Sequence, residues 1–556
     1  MRYSDFMWQR FSQGLFGVLL GAFGLLAGCA GAGKVNEQMV WAEVALERGQ
    51  PAVASRAYGR AASLSRDAAV WERAARVAFE QSQYRELAGI AKVWLNHDPK
   101  NETAQRFLAV ALLELDDRVA AKASVRHLIQ SAYPSPAEAF DSLARSLAEL
   151  HNEAGVAFVM RSLAMDDAHE PAAQLAAASL SLQAGDVGAA LVATERALGL
   201  RPVWPEARSL QARAQVALGH CAEGLSSAAL LAAEGGDSDR LVYAWLLIRC
   251  DRPAEARPYL SDLTRSRSFR AQALEALGGL DLDAHRLDDA LAHYNELMAL
   301  GRNTEAATYG LALVAERRGD RERAVSLYRR VLTGSRAVTA QLRAYRLLLD
   351  QGMELQAAYA LDMFVANSPD DRVEVTAGRA DLLADRGQAA AALALLQRVM
   401  PQYPDRQELG FSKATVLEKD GQIPAAIAQL REMLAHRPTD ATTQNALGFT
   451  LAEHGLKLDE AERLIRSALK ARPDSAAMQD SLGWVLYRRG QLSEALRFVS
   501  AAYALDADPE IALHLGWVRW GLGDQAEARR IWRAALAQSP AEKRLQSVIA
   551  QHPESL

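Results

Sequence analysis

The chain is poor in the residues that staple or punctuate small scaffolds: 556 positions hold three cysteines, 18 prolines and 36 glycines. So few thiols exclude a disulfide-built domain, and so few turn formers argue against a succession of short strands. An excess of charge of either sign is missing too. The 63 basic and 68 acidic side chains leave −5, with a pI near 6.2, so nothing in the electrostatics calls for a nucleic-acid partner. No apolar stretch reaches the ~20 residues of a membrane-spanning helix. The eleven histidines form no His-Glu-x-x-His pair and no clustered Cys/His/Asp spacing for a metal, and no Gly-x-Ser-x-Gly elbow is present. These absences predict a protein that is not an enzyme and uses neither metal nor cofactor.

What is present is apolar and helix-forming. Half the residues are hydrophobic, and Ala, Leu, Arg, Glu and Gln fill most of the rest, which predicts an all-α fold. Three stretches in the last third share one grammar: NALGFTLAEHGLKLDEAERLIRSALKARP, DSLGWVLYRRGQLSEALRFVSAAYALDADP and LHLGWVRWGLGDQAEARRIWRAALAQSP. Leu-Gly lies in a first helix, Gly marks the turn, Glu-Ala opens a second helix and Pro closes the unit. The pattern resembles the tetratricopeptide repeat, a helical pair of 34 residues. Gly448, Gly483 and Gly516 fall where the two helices approach, opposite Ala461, Ala495 and Ala528, since bulk on either side would force the backbones apart.

The second-helix small-residue site can be followed backwards through the chain. It gives Ala54, Leu87, Ala121, Ala157, Ala190, Gly224, Ala256, Ala290, Ala324, Ala357, Ala392, Ala426, Ala461, Ala495 and Ala528, at spacings of 32 to 36 residues. Glycines five residues upstream, at 49, 185, 219, 319, 352, 387, 421, 490 and 523, supply a second phase at the turns. Fifteen units result, degenerate around Leu87 and Ala157. They predict a right-handed tetratricopeptide-repeat solenoid over residues 35–542, with 543–556 as a tail and no room for a separate catalytic domain. Such stacked pairs present a concave face built by the first helices, which suits proteins or peptides.

The N-terminus carries an address. Arg2 and Arg10 precede the 12-residue apolar run Leu15 to Leu26, the length of a signal-peptide core. Leu26-Ala27-Gly28-Cys29 then resembles the bacterial lipobox, which implies a signal peptide over 1–28, acylation of Cys29 and a short lipidated linker over 29–34. Three acyl chains would hold the protein firmly on lipid. By the same resemblance, Ala30 rather than Asp after the cysteine favours the outer membrane, with the body in the periplasm. Residues 28–34 also approach a phosphate-binding loop, but Val35 stands where Ser or Thr would hold Mg²⁺ and no strand precedes it.

Among residues that could carry function, Phe449, Trp484, Tyr487, Trp517 and Trp520 fall at positions 9 and 12 of the last three first helices. They form an aromatic ladder, either a groove wall that receives a partner segment or rings that plug the space between neighbouring helices. Trp71 and Trp532 fall at other phases and are expected in the core. Cys221 and Cys250 lie near the turns of adjacent units, as a disulfide or as two small buried side chains. The arginines at 317, 318, 321, 323, 329 and 330 alternate with acids and read as a solvated helix face.

The lipobox together with LGFTLAE, DSLGWVLYRRG and HLGWVRWGLG resembles one group in particular: long tetratricopeptide-repeat outer-membrane lipoproteins of proteobacteria that partner a periplasmic carboxyl-terminal processing protease. The resemblance implies an adaptor that binds the protease and presents clients, among them peptidoglycan cross-link hydrolases. The alternative is an assembly scaffold lipoprotein for a pilus, exopolysaccharide-export or peptidoglycan-synthase machine.

Overall fold

The computed structural model describes residues 30–364, 369–473, 475–540 and 542–552. Within them the chain forms 31 α-helices and one 3₁₀ turn, Met400–Gln402, without a strand. The helices make fifteen consecutive pairs, from Ala30–Glu47 with Pro51–Leu64 to Pro509–Gly521 with Gln525–Gln538, and one further helix, Lys543–Gln551. The fold is therefore the all-α tetratricopeptide-repeat arrangement that the sequence period predicts.

The small-residue site explains why the period holds. All fifteen positions from Ala54 to Ala528 are buried, Ala461, Ala495 and Ala528 completely. The glycines opposite them leave no space for a side chain. A Cβ on Gly448 would lie 2.6 Å from Ile465 Cγ1, and one on Gly483 would lie 2.1 Å from Val499 Cγ2. At Gly516 the close neighbour is the indole of Trp532, not Ala528. Trp532 and Trp71 are core residues as expected, each donating its indole N–H to a backbone carbonyl, of Leu513 and Ala62 respectively.

The turns obey the second phase in four units where glycine is missing, though not at Asn152 before Ala157, whose φ is −82°. All nine predicted turn glycines have a positive φ, and Ser82, Asp116, Asp251 and His285 adopt the same left-handed backbone five residues before their own anchors. The units around Leu87 and Ala157 fold like the others, with second helices Tyr84–His97 and Glu153–Asp166.

Three local readings change. Residues 30–34, expected as linker, already belong to the first helix. Part of the expected tail forms the helix Lys543–Gln551, capped by Glu542 and seated through buried Leu545 and Val548. Pro509 opens the next first helix instead of closing the previous one, because its missing N–H costs nothing at a first helical position. The six arginines between 317 and 330 are solvent-exposed, as expected.

The chain divides into two compact units. One runs up to Leu180 and resumes over Leu231–Ser412; the other comprises Ser181–Leu230 and the chain from Lys413 onward. In the first unit a seam joins stretches far apart in sequence. Ser82 Oγ donates to Asp370 Oδ1 at 2.9 Å across 288 residues, Gln83 Nε2 donates to the Gln402 carbonyl at 2.9 Å, and Arg85 Nε pairs with Asp405 at 2.8 Å. His151 stands beside this seam, with Nδ1 3.1 Å from Glu114 and Nε2 3.5 Å from Asp370. Arg406, itself buried, bridges Asp370 at 2.7 Å and Glu408 at 2.9 Å.

Candidate functional site

The predicted ladder lies in the second unit, on the helices Ala441–Glu453, Ala476–Arg488 and Pro509–Gly521. Each starts at a side-chain cap that fixes where its ninth and twelfth residues point. Asp440 accepts from the Thr443 N–H at 2.7 Å, Ser475 from Met478 at 3.4 Å, and Asp508 from Glu510 at 2.7 Å. With the starts in register, Phe449, Trp484 and Trp517 occupy the ninth position, and Tyr487 and Trp520 the twelfth.

The structure brings these rings together through His514 and His552. Trp484 stacks on His514 with ring centres 4.2 Å apart and on Tyr487 at 5.0 Å, while Phe449 lies 6.0 Å from His514. Trp484 is only 7% exposed, and its indole N–H donates to Glu453 Oε2 at 2.7 Å. It is thus a strut between three successive first helices. Phe449, Tyr487, Trp517 and Trp520 remain half-buried and offer ring surface. At the end of the array Trp517 meets Trp532 edge-on at 5.4 Å, Trp520 stacks on Trp532 at 5.9 Å, and His552 sits 4.2 Å from Trp520.

Polar groups are interleaved with the rings. His514 is fully buried, and its Nδ1 lies 2.8 Å from Asp480 Oδ2. His514 Nε2, Asp480 Oδ1 and Asn445 Oδ1 are buried without a hydrogen-bond partner. Arg488 stands 5.8 Å over the Trp484 ring, and Arg544 reaches both Glu453, at 3.6 Å, and Glu510, at 2.8 Å. The surface therefore combines aromatic faces with paired charges of both signs, a composition suited to gripping a polypeptide segment. The spacing of Trp484 and Trp517 signals the ladder. Nothing in the local sequence marks His514 or His552 as its partners, because they enter from the next helix and from the terminal segment.

Cys221 opens the helix Cys221–Glu234, and Cys250 caps Asp237–Arg249; each is disulfide-bonded. Cys29 and the signal segment 1–28 lie outside the described residues. Among the described residues no three His, Cys, Asp or Glu side chains group to hold a metal ion, and no helix is long and apolar enough to cross a membrane.

A model of the tetratricopeptide repeat matches residues 279–341 and 455–512; the second match includes Trp484 and Tyr487. A repeat-containing protein of Pseudomonas aeruginosa, described as a TPR protein, is 30% identical over 212 residues. That alignment spans 38% of this chain and 36% of the relative, so little more than a third of the relative is matched. Among solved structures, a thermophilic TPR protein of Thermus thermophilus is 22% identical, covering 32% of this chain and 98% of its own, with a TM-score of 0.30. A chain of the APC/C hetero-tetramer Cut9–Hcn1 is 14% identical, covering 94% of this chain and 97% of its own, at 0.31.

Proposed function

We propose that this tetratricopeptide-repeat chain is a non-catalytic adaptor, fastened to the outer membrane through acylated Cys29, that binds a periplasmic carboxyl-terminal processing protease and presents client proteins to it. The observation that carries the binding role is the aromatic row in register over three consecutive first helices, with half-buried faces at Phe449, Tyr487, Trp517 and Trp520. Aromatic anchors dominate the energetics of protein interfaces, and repeat arrays of this kind act as protein-binding scaffolds. The lipobox supports the anchor. The phrases LGFTLAE, DSLGWVLYRRG and HLGWVRWGLG support the protease as partner and cell-wall cross-link hydrolases as clients.

The test begins with crosslinking in cells and capture of the lipidated protein, in which a processing protease is expected among the bound proteins. The purified protein should then accelerate that protease on a cross-link hydrolase. Trp484 is a poor probe, because removing a buried, hydrogen-bonded indole opens a cavity. Phe449→Ala with Tyr487→Ala removes accessible ring surface instead. Capture of protease or client should fall at least tenfold while the thermal midpoint stays close to that of the parent. Failure to find either a complex or stimulation would overturn the adaptor reading in favour of an assembly scaffold.

A further inference from the structure

We infer that the exposed edge of the first helical pair, carried by Val40 and Trp41, rests on the lipid surface to which Cys29 is fastened; the inference takes the acyl anchor proposed above as its premise. The helix Ala30–Glu47 begins at the residue directly after Cys29. Its residues therefore advance ~1.5 Å each instead of the ~3.3 Å or more of an extended tether. An extended six-residue linker would reach ~20 Å; the helix from Ala30 removes that reach, and Trp41 lies only ~17 Å along it.

That helix carries exposed apolar bulk. Val40 is 57% and Trp41 58% exposed, in a helix whose Ala42 and Ala45 are buried in the array. The second helix of the pair runs back antiparallel, as the 2.6 Å hydrogen bond from Arg60 Nε to Gln38 Oε1 shows. Its last residue, Leu64, is also exposed and comes to the end of the pair nearest Cys29. An indole with an apolar body and a polar N–H is the side chain that settles at the headgroup level of a bilayer.

Lipid is the favoured occupant because of the tether. Once the acyl chains of Cys29 are in the bilayer, contact by residues one to two nanometres away is an intramolecular event at high effective concentration. A contact too weak to recruit a free protein then suffices. Lys34, Glu37, Glu43, Glu47 and Arg48 supply exposed charges of both signs on or beside this helix, so the contact is apolar in origin and needs no anionic lipid.

The test uses full-length acylated protein in phosphatidylethanolamine-rich vesicles, some containing lipids brominated along the acyl chain. The fluorescence difference between the parent and Trp41→Phe isolates residue 41. A blue-shifted difference spectrum, quenched at least twofold by brominated lipid and unchanged in 0.5 M salt, is the expected result. A difference spectrum at the solvent-exposed wavelength, unquenched, overturns the inference, as does loss of a co-purifying protein partner on Trp41→Glu without any quenching in the parent. Mass spectrometry of the N-terminal peptide separates the two failures. Acylated Cys29 with unquenched Trp41 sinks only the docking, whereas Cys29 without acyl groups sinks the anchor itself.

Discussion

Asp281 is a carboxylate with no solvent exposure, surrounded by three cationic or basic side chains from two adjacent units. Its Oδ1 takes Arg257 Nη2 at 2.7 Å and Arg286 Nη2 at 2.6 Å, and its Oδ2 meets His293 Nδ1 at 2.8 Å. Burial alone would push the carboxyl pKa up, but hydrogen bonds from Arg286 and Arg257 outweigh it and hold the pKa below its ordinary value. A carboxylate with a depressed folded pKa contributes stability above its unfolded value, and that contribution fades as the pH falls through the folded one. Asp281→Ala removes the shared acceptor of two partly exposed guanidinium groups, which water can re-solvate, and should cost about 1–3 kcal/mol at pH 7, read from urea unfolding. The gap to the parent should shrink below about pH 4; a gap that is the same at pH 3 and pH 7 would count against the ionic account. This network leaves no mark in the local sequence. An Asp near the end of a first helix looks like any solvated charge until the Arg257 side chain of the preceding unit is seen to cover it.

At the scale of the helical pair, far more was legible, because two constraints repeat at fixed offsets. A small residue is favoured where the helices touch, and a left-handed backbone where they turn, so the phases found in sequence reappear in most units, the turn at Asn152 with its φ of −82° being an exception. Four units lack the turn glycine because Ser82, Asp116, Asp251 and His285 fill a conformation usually given to glycine. An L side chain in that conformation is strained by ~1–2 kcal/mol, while glycine's greater freedom in the unfolded chain gives back ~0.5–1 kcal/mol. His285 is solvent-exposed, so His285→Gly should raise stability by about 0.5–1 kcal/mol, measurable as a shift of the urea midpoint. A destabilised variant would mean that the imidazole contributes more than its backbone costs. The ladder was half legible by the same logic. Helical position told which rings line up, but it could not show that Trp484 is pinned by Glu453 and His514 while its neighbours stay half-buried.

Over the length of the chain, the period predicts neighbours and is silent about residues that return to meet each other seven to nine units later. The seam around His151 is such a return. Hydrogen bonds with Asp370 and Glu114 raise the imidazole pKa to about 10, although burial opposes them. For Asp370, burial would raise the carboxyl pKa, yet the hydrogen bond and charge of His151, followed by the charge of Arg406, hold it well below the usual range. The other titratable groups beside the imidazole are Tyr84, whose hydroxyl is 3.3 Å from Nδ1, and Glu408, held charged by Arg406 against the effect of burial. A raised histidine pKa contributes stability that is complete below ~6.5 and lost as the pH climbs through about 10. The Asp370 contribution has the opposite sign, complete above its ordinary value near 3.8 and lost in acid. The seam should therefore hold best between about pH 4.5 and pH 6.5, and weaken progressively from there toward pH 10. His151→Gln keeps some hydrogen-bonding capacity but removes the charge. Because the imidazole is partly exposed and screened, the variant should lose only about 1 kcal/mol at pH 7. Amide exchange should quicken at the start of helix Tyr84–His97 and around Tyr403–Arg406, with helix Ala476–Arg488 of the other unit as the unaffected control. Parent and variant should converge above about pH 10, since the parent has then lost the same charge. A stability gap that persists undiminished at about pH 11 would show that His151 acts there by shape alone.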